Sequence, residues 1–245
     1  MKFFCRAFLV CVVGLVAFGT ANAADIRTYP TRLVLSPGAA LGSINVKNNS
    51  TTPAAMQIEV MSWTQTDTED KYDVTRDLLV NPVIFELAPG AEQVVRVGLQ
   101  TTVRPTEGTY RIFFQELPAR DAPVQSGITA LLRIGIPIFV PAAAEMHALE
   151  WRANARPDGT LVIDAANKGN SHIQVTALNV LNAANESVSK TNVFTYILPG
   201  QSRHWDIKPK NAIRAGEMLN LEASTDRKDE KVQIVVGAND GERPR

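Results

Sequence analysis

Apolar and polar residues alternate with period two through many short stretches of the chain, and clusters of Pro, Gly, Asn and Asp separate those stretches. Period two marks a strand with one buried face, and hardly any segment sustains the helical period. The pattern predicts strands over Arg32 to Leu35, Ser43 to Val46, Ala55 to Trp63, Val83 to Leu87, Gln93 to Leu99, Tyr110 to Gln115 and Ile128 to Val140. After Pro141-Ala142-Ala143-Ala144-Glu145 it begins again, over Ala148 to Ala153, Thr160 to Ala165, His172 to Leu178, Phe194 to Leu198, His204 to Ile207, Leu219 to Ala223 and Val232 to Val236. The expectation is an all-β chain of two sandwiches, residues 24–143 and 144–245.

Two local patterns occur once in each half. Asn48-Asn49-Ser50 leads to Gln57-Ile58-Glu59-Val60, as Asn167-Lys168-Gly169 leads to Ile173-Gln174-Val175. Leu87-Ala88-Pro89-Gly90 and Ile197-Leu198-Pro199-Gly200 each end a strand before a turn, where Pro and Gly geometry is favoured. The halves share a plan rather than a strict repeat, because the spacing between the two patterns differs.

One strand does not read like an ordinary core strand. Ile128, Ala130, Leu132, Ile134, Ile136, Ile138 and Val140 share one parity, and Thr129, Leu131, Arg133, Gly135, Pro137 and Phe139 the other. Side chains alternate faces, so the first set is an unbroken aliphatic row roughly 20 Å long. The plain reading is the last strand of a sandwich with that row in its own core. Pro137 cannot donate to a ladder and places its end of the strand at a sheet edge, and a long apolar edge without charge calls for a partner.

Composition narrows the setting. Lys2 and Arg6 precede an apolar run from Ala7 to Phe18 and an Ala21-Asn22-Ala23 ending, which predicts an export leader cut after Ala23 and an exported protein. The run is too short to span a bilayer, so an integral membrane protein is not expected. Both cysteines, Cys5 and Cys11, fall in the leader, so the remaining chain relies on its hydrophobic cores. Removing Lys2 and Arg6 leaves 23 basic residues against 25 acidic ones, which gives no electrostatic case for nucleic acid. The mixed-sign run Asp226-Arg227-Lys228-Asp229-Glu230-Lys231 reads as a solvated turn without function.

Across the chain beyond the leader the sequence resembles the periplasmic pilus-assembly chaperones. The likeness rests on Tyr29-Pro30-Thr31-Arg32-Leu33, Val46-Lys47-Asn48, Gln57-Ile58-Glu59-Val60 with Trp63, Leu87-Ala88-Pro89-Gly90 with Val95-Arg96-Val97, Tyr110-Arg111 with Glu116-Leu117-Pro118, and Arg133 to Val140, in that order. The short segment between Pro118 and Ile128, Gly135-Ile136-Pro137, and Ile197-Leu198-Pro199-Gly200 with Arg203 and Trp205 look most like the archaic branch. The resemblance implies two immunoglobulin-like sandwiches with a cleft between them, and a non-enzymatic chaperone. It would hold a pilus subunit by donor-strand complementation and deliver it to an outer-membrane usher, without a cofactor. Strand addition supplies hydrogen bonds for affinity and side-chain pockets for register, chaperone–pilin pairs being a known instance.

The donated row would be Ile128, Ala130, Leu132, Ile134 and Ile136, contributing on the order of 10 kcal/mol before ordering costs are subtracted. In this family a basic residue on the first strand and another on the last strand of domain one grip the subunit's C-terminal carboxylate. Arg32 matches the first, and a guanidinium suits the task because its planar fork can donate two parallel hydrogen bonds. Better-known members place a Lys where this chain has Ile136, so Arg133 takes the second role, with Arg111 in reserve.

A metal-binding periplasmic sandwich is the alternative from another class, with His147, His172, His204 and four Met residues beyond the leader as candidate ligands. No His pair has metal-ligand spacing, so no metal site is expected. No nucleotide loop or hydrolase motif stands out, so no catalytic residue is assigned. A pilus subunit or adhesin would lack a strand, whereas two full strand sets are counted here.

Overall fold

A computed structural model describes residues 25–66, 69–100, 104–118 and 130–238. The leader and Ile128 of the expected donor row lie outside them. Among the described residues every regular element is a strand.

The first ten strands are β1 (Ile26–Tyr29), β2 (Leu33–Val34), β3 (Leu41–Asn48), β4 (Ala54–Gln65), β5 (Asp70–Val74), β6 (Leu78–Asn81), β7 (Ile84–Leu87), β8 (Glu92–Leu99), β9 (Gly108–Leu117) and β10 (Arg133–Val140). They make one sheet in the order β1-β3-β8-β6 and a second in the order β2-β10-β9-β4-β5, with β7 also on β4. The period-two pattern explains the packing: Ile44 and Val46 from β3 and Val95 and Val97 from β8 meet Met56, Ile112, Phe114, Ile136 and Ile138 from the facing sheet. The even row of β10 thus turns into its own sandwich, with Ile136, Ile138 and Val140 buried and Leu132 and Ile134 half-covered at its end.

The remaining strands are β11 (Leu149–Ala155), β12 (Leu161–Asn167), β13 (Ile173–Leu181), β14 (Ser187–Ile197), β15 (Ser202–Ile207), β16 (Met218–Thr225), β17 (Glu230–Val235) and β18 (Gly237–Ala238). They form sheets β15-β12-β11-β18 and β14-β13-β16-β17 around a core that includes Trp151, Ile163, Val175, Leu178 and Leu221.

The paired sequence patterns fold alike. Asn48 Nδ2 donates to the Leu87 carbonyl at 3.1 Å and the Thr52 carbonyl at 2.8 Å. Asn167 Nδ2 donates to the Ile197 carbonyl at 3.0 Å and the Ser171 carbonyl at 2.8 Å. Gly90 and Gly200, both at positive φ, return their N–H groups to the carbonyls of Asn48 and Asn167. Each buried amide ties a strand end to the turn after Pro-Gly, the position where unpaired carbonyls would otherwise be stranded.

β1, β5, β6 and β18 were not anticipated: they are short, from two to five residues each. β14 begins earlier than expected because its first half is polar and exposed on alternate residues.

Candidate functional site

The outer face of the second sheet and the outer face of β14-β13-β16-β17 meet through aromatic side chains. Trp63 and Phe139 from the first half pack with Leu198 and Tyr196 from the second. Phe139 stacks on His172 with centroids 3.6 Å apart, and Trp63 meets Tyr196 edge-on at 5.7 Å.

A charged joint lies beside these rings. Glu107, just ahead of β9, accepts hydrogen bonds from the backbone N–H of His172 at 2.7 Å and from its ring Nδ1 at 2.8 Å. His172 Nε2 lies 3.7 Å from Asp226, which accepts hydrogen bonds from Arg32 at 2.9 Å and from the Gln174 backbone N–H at 2.8 Å. Burial alone disfavours the imidazolium, but hydrogen bonds and the charges of Asp226 and Glu107 outweigh it and raise the His172 pKa. Burial likewise opposes ionised Asp226, yet His172, the Gln174 N–H and Arg32 bring its pKa down to about 2. Glu107 and His172 are both buried, a setting in which removing either charge leaves the other uncompensated.

Further bonds cross the joint. Gln65 accepts from the Leu198 N–H at 3.0 Å and donates to the Tyr196 carbonyl at 3.2 Å. Arg203 donates to Asp70 at 2.5 Å and to the Thr66 carbonyl. Asn170 donates to the carbonyls of Pro105 and Ala144, both at 2.8 Å.

Register sets the three candidate cations. Leu33 pairs in parallel with Ile138, which brings the preceding Arg32 level with Pro137, and Pro137 pairs with Arg111 across β10 and β9. Arg32 and Arg111 therefore flank Pro137, two strand spacings or about 10 Å apart. The Arg111 guanidinium lies 4.1 Å from the Trp63 ring centroid and 5.9 Å from that of Tyr72, and its buried Nε has no hydrogen-bond partner among the described residues. Gly135 makes room for it, since a Cβ there would stand 3.2 Å from Arg111 Cδ and 3.0 Å from Phe113. Burial raises the Tyr196 phenol's pKa while Arg32 pulls it back, with Asp226 and Arg111 also in its field.

Arg133 is four residues, about 13 Å, farther along the strand. It sits over Phe113 at 4.0 Å and 3.7 Å from Glu59, half-exposed. The geometry pairs Arg111 with Arg32 and sets Arg133 at the outer end of the same face.

The donor row divides. Ala130 is exposed and Leu132 and Ile134 are half-buried, whereas Ile136, expected among the donated knobs, is 2% exposed within the chain's own core. That correction follows from pairing: a residue opposite Ile112 and between two sheets is already covered. β2 flanks β10 only at Ile138 and Phe139, so among the described residues Arg133 to Ile136 have β9 on one side and an open edge on the other.

Sequence reading passed over Glu107, Tyr196 and Gln65, weighed His172 only as a metal ligand, and gave Asp226 no role. The run from Asp226 to Lys231 is not all solvated, since Asp226 is bound in the joint and Glu230 accepts from Trp151 Nε1 at 2.6 Å. No local signal pairs Glu107 with a histidine 65 residues away. His147 lies near Glu145, and among the described residues no group of three or more His, Cys, Asp or Glu could hold a metal ion. No helix among them is long and apolar enough to cross a membrane.

Residues 25–144 match the family model for the pili and flagellar-assembly chaperone, PapD N-terminal domain. No curated protein sequence matches the chain. Among solved structures, a chain of the CsuC–CsuE chaperone–tip adhesion subunit pre-assembly complex, from archaic chaperone-usher Csu pili of Acinetobacter baumannii, aligns at TM-score 0.63 and 18% identity. The alignment covers 87% of this chain and 99% of that one. The E. coli chaperone DraB aligns at 0.58 and 20% identity, over 86% and 97% of the two chains. A chain of the Salmonella enterica SafA pilin–SafB chaperone complex aligns at 0.59 and 14% identity, over 87% and 97%. Identities this low show a shared fold.

Proposed function

We propose, from the premise that this chain belongs to the pili and flagellar-assembly chaperones with a PapD-type N-terminal domain, that it captures an unfinished pilus subunit by strand donation and passes it to an outer-membrane usher. The family is a chaperone family of the periplasm and not an enzyme class. In this reading the leader is cut after Ala23, residues 24–143 form the donor domain and residues 144–245 the second.

The open edge of β10 lends its N–H and C=O groups to the subunit's sheet, while Ile128, Ala130, Leu132 and Ile134 enter its groove. Three large aliphatic side chains in that row contribute roughly 5–9 kcal/mol before ordering costs. Arg32 and Arg111 grip the C-terminal carboxylate, and Arg133 lies beyond them toward the groove. The observation that carries the pair is Arg111: a guanidinium held between Trp63 and Tyr72, level with Arg32, with a buried donor still unmet. The fold shared with a chain of the archaic Csu chaperone–subunit complex supports the chaperone reading.

The test is periplasmic co-expression with a pilus subunit from the same genome, followed by pull-down. Arg32→Ala and Arg111→Ala, each folded by circular dichroism, should recover at least about tenfold less subunit than wild type, as expected for removing one partner of a hydrogen-bonded charge pair. Equal recovery by both variants would sink the carboxylate anchor.

A further inference from the structure

Phe194 combines two features that are each unremarkable alone. It is a large apolar side chain 66% exposed, and its backbone sits at φ 46°, a region that bulky L residues rarely enter. Its neighbour Val193 packs against the second core, so Phe194 turns to the outer face of the sheet. The conformation comes from an irregular register between β13 and β14, where Asn192 pairs with Ala177 and Thr195 with Val175, leaving two residues opposite one. Such conformations persist where the surrounding structure holds them, often at ligand contacts.

The same outer face carries the second-domain wall of the cleft. Tyr196 pairs with Gln174, whose N–H donates to Asp226, and Asp226 holds Arg32. Phe194 is two residues from Tyr196, about 7 Å along the strand. Tyr196 in turn meets Trp63, over which Arg111 lies, so Phe194 continues the row of rings beside the proposed carboxylate grip and serves no core of its own.

We propose that Phe194 is a subunit-contact residue of the second domain, covering an apolar side chain that the bound pilus subunit carries close to its C-terminal carboxylate. The assignment rests on the chaperone reading. An aromatic ring offers a wide apolar contact with few rotors to order, which suits an anchor that must stand exposed until a partner arrives.

The test uses Phe194→Gly and Phe194→Asn, two residues that accept positive φ. Each is purified in complex with a co-expressed pilus subunit from the same genome, its N-terminal extension deleted. Subunit release is followed on adding a peptide of that extension. Both free variants should keep or raise the wild-type thermal midpoint, by up to about 4 °C, while release accelerates roughly tenfold. A lowered midpoint with release unchanged would make Phe194 a structural residue and overturn the assignment, as would unchanged release at equal stability. A wild-type chain that captures no subunit overturns the chaperone reading and this assignment with it. Capture by wild type with matching release from both variants overturns Phe194 alone.

Discussion

At the C-terminal end of β10, Ile138 lies between β9 and β2, its side chain wholly inside the first core, and Phe139 behind it is stacked on His172. At the N-terminal end, Arg133 to Ile136 are paired, among the described residues, with β9 alone, Leu132 and Ile134 are half-covered at the rim of the core, and Ala130 beyond them is exposed. One alternation of aliphatic residues supplies both ends. What differs is the neighbour: two residues of β2 convert a buried structural strand from an edge into an interior position, and where β2 stops the same pattern is left at a sheet edge. Binary pattern fixes which face a residue occupies, and only the topology decides whether that face is already filled.

The largest expected effect probes the sealed end. Ile138→Ala should lower stability by about 2–5 kcal/mol, as a wholly buried aliphatic truncation does, whereas Leu132→Ala should cost less than about 1 kcal/mol. Denaturant midpoints of the two variants check this. Equal losses would mean that the two ends of the strand are covered alike.

At the open end the order reverses when capture is measured. Leu132→Glu should lower the thermal midpoint only modestly, Leu132 being half-covered at the rim of the core, and abolish subunit recovery, because an unpaired carboxylate would have to enter an apolar groove. A charged Leu132 variant that still protects its subunit from proteolysis would refute donation from this end.

A smaller difference separates the cations on the outer face. Arg111→Ala should weaken capture at least about tenfold and Arg133→Ala no more than about threefold, since the first is enclosed and the second half-exposed. Titration of the purified variants with a synthetic peptide of the subunit's C-terminal residues separates the two, and a larger loss at Arg133 would move the grip outward along β10.

Much of this was legible in residues alone. The all-β class followed from period-two stretches, and the matched Asn48 and Asn167 patterns marked the two halves because a buried capping amide needs the same local sequence in each. The family resemblance directed attention to Arg32. Parity assigned Ile136 correctly to the aliphatic face, but parity carries no information about what covers that face. The joint was hidden for a different reason: Glu107, His172 and Asp226 come from three separate segments, and a charge such as Asp226 inside a mixed-sign run looks solvated until Arg32 and Gln174 are brought to it. That Arg111 lies level with Arg32 while Arg133 lies farther out depends on the β9–β10 register, which no one-dimensional pattern contains.

The sealed end also carries a pH dependence. His172 is faced by Glu107 ahead of β9, Asp226 after β16, Arg32 ahead of β2, and the rings of Phe139 and Tyr196. Its pKa in the folded chain is raised above the unfolded value of about 6.5, so its contribution is complete below that pH and is lost as pH rises through the folded value. Asp226 is shifted the other way, to about 2, so its contribution is present above the ordinary carboxylate range and disappears as pH falls toward that value. Together they make the joint firmest between roughly pH 4 and 6.5. Thermal midpoints of wild type should decline from pH 6 toward pH 9 more steeply than those of His172→Gln, which keeps a hydrogen-bonding side chain but cannot hold the proton. Parallel slopes in the two proteins would show that the alkaline loss arises elsewhere, and that the stacking of Phe139 on His172 holds the joint without help from the imidazolium charge.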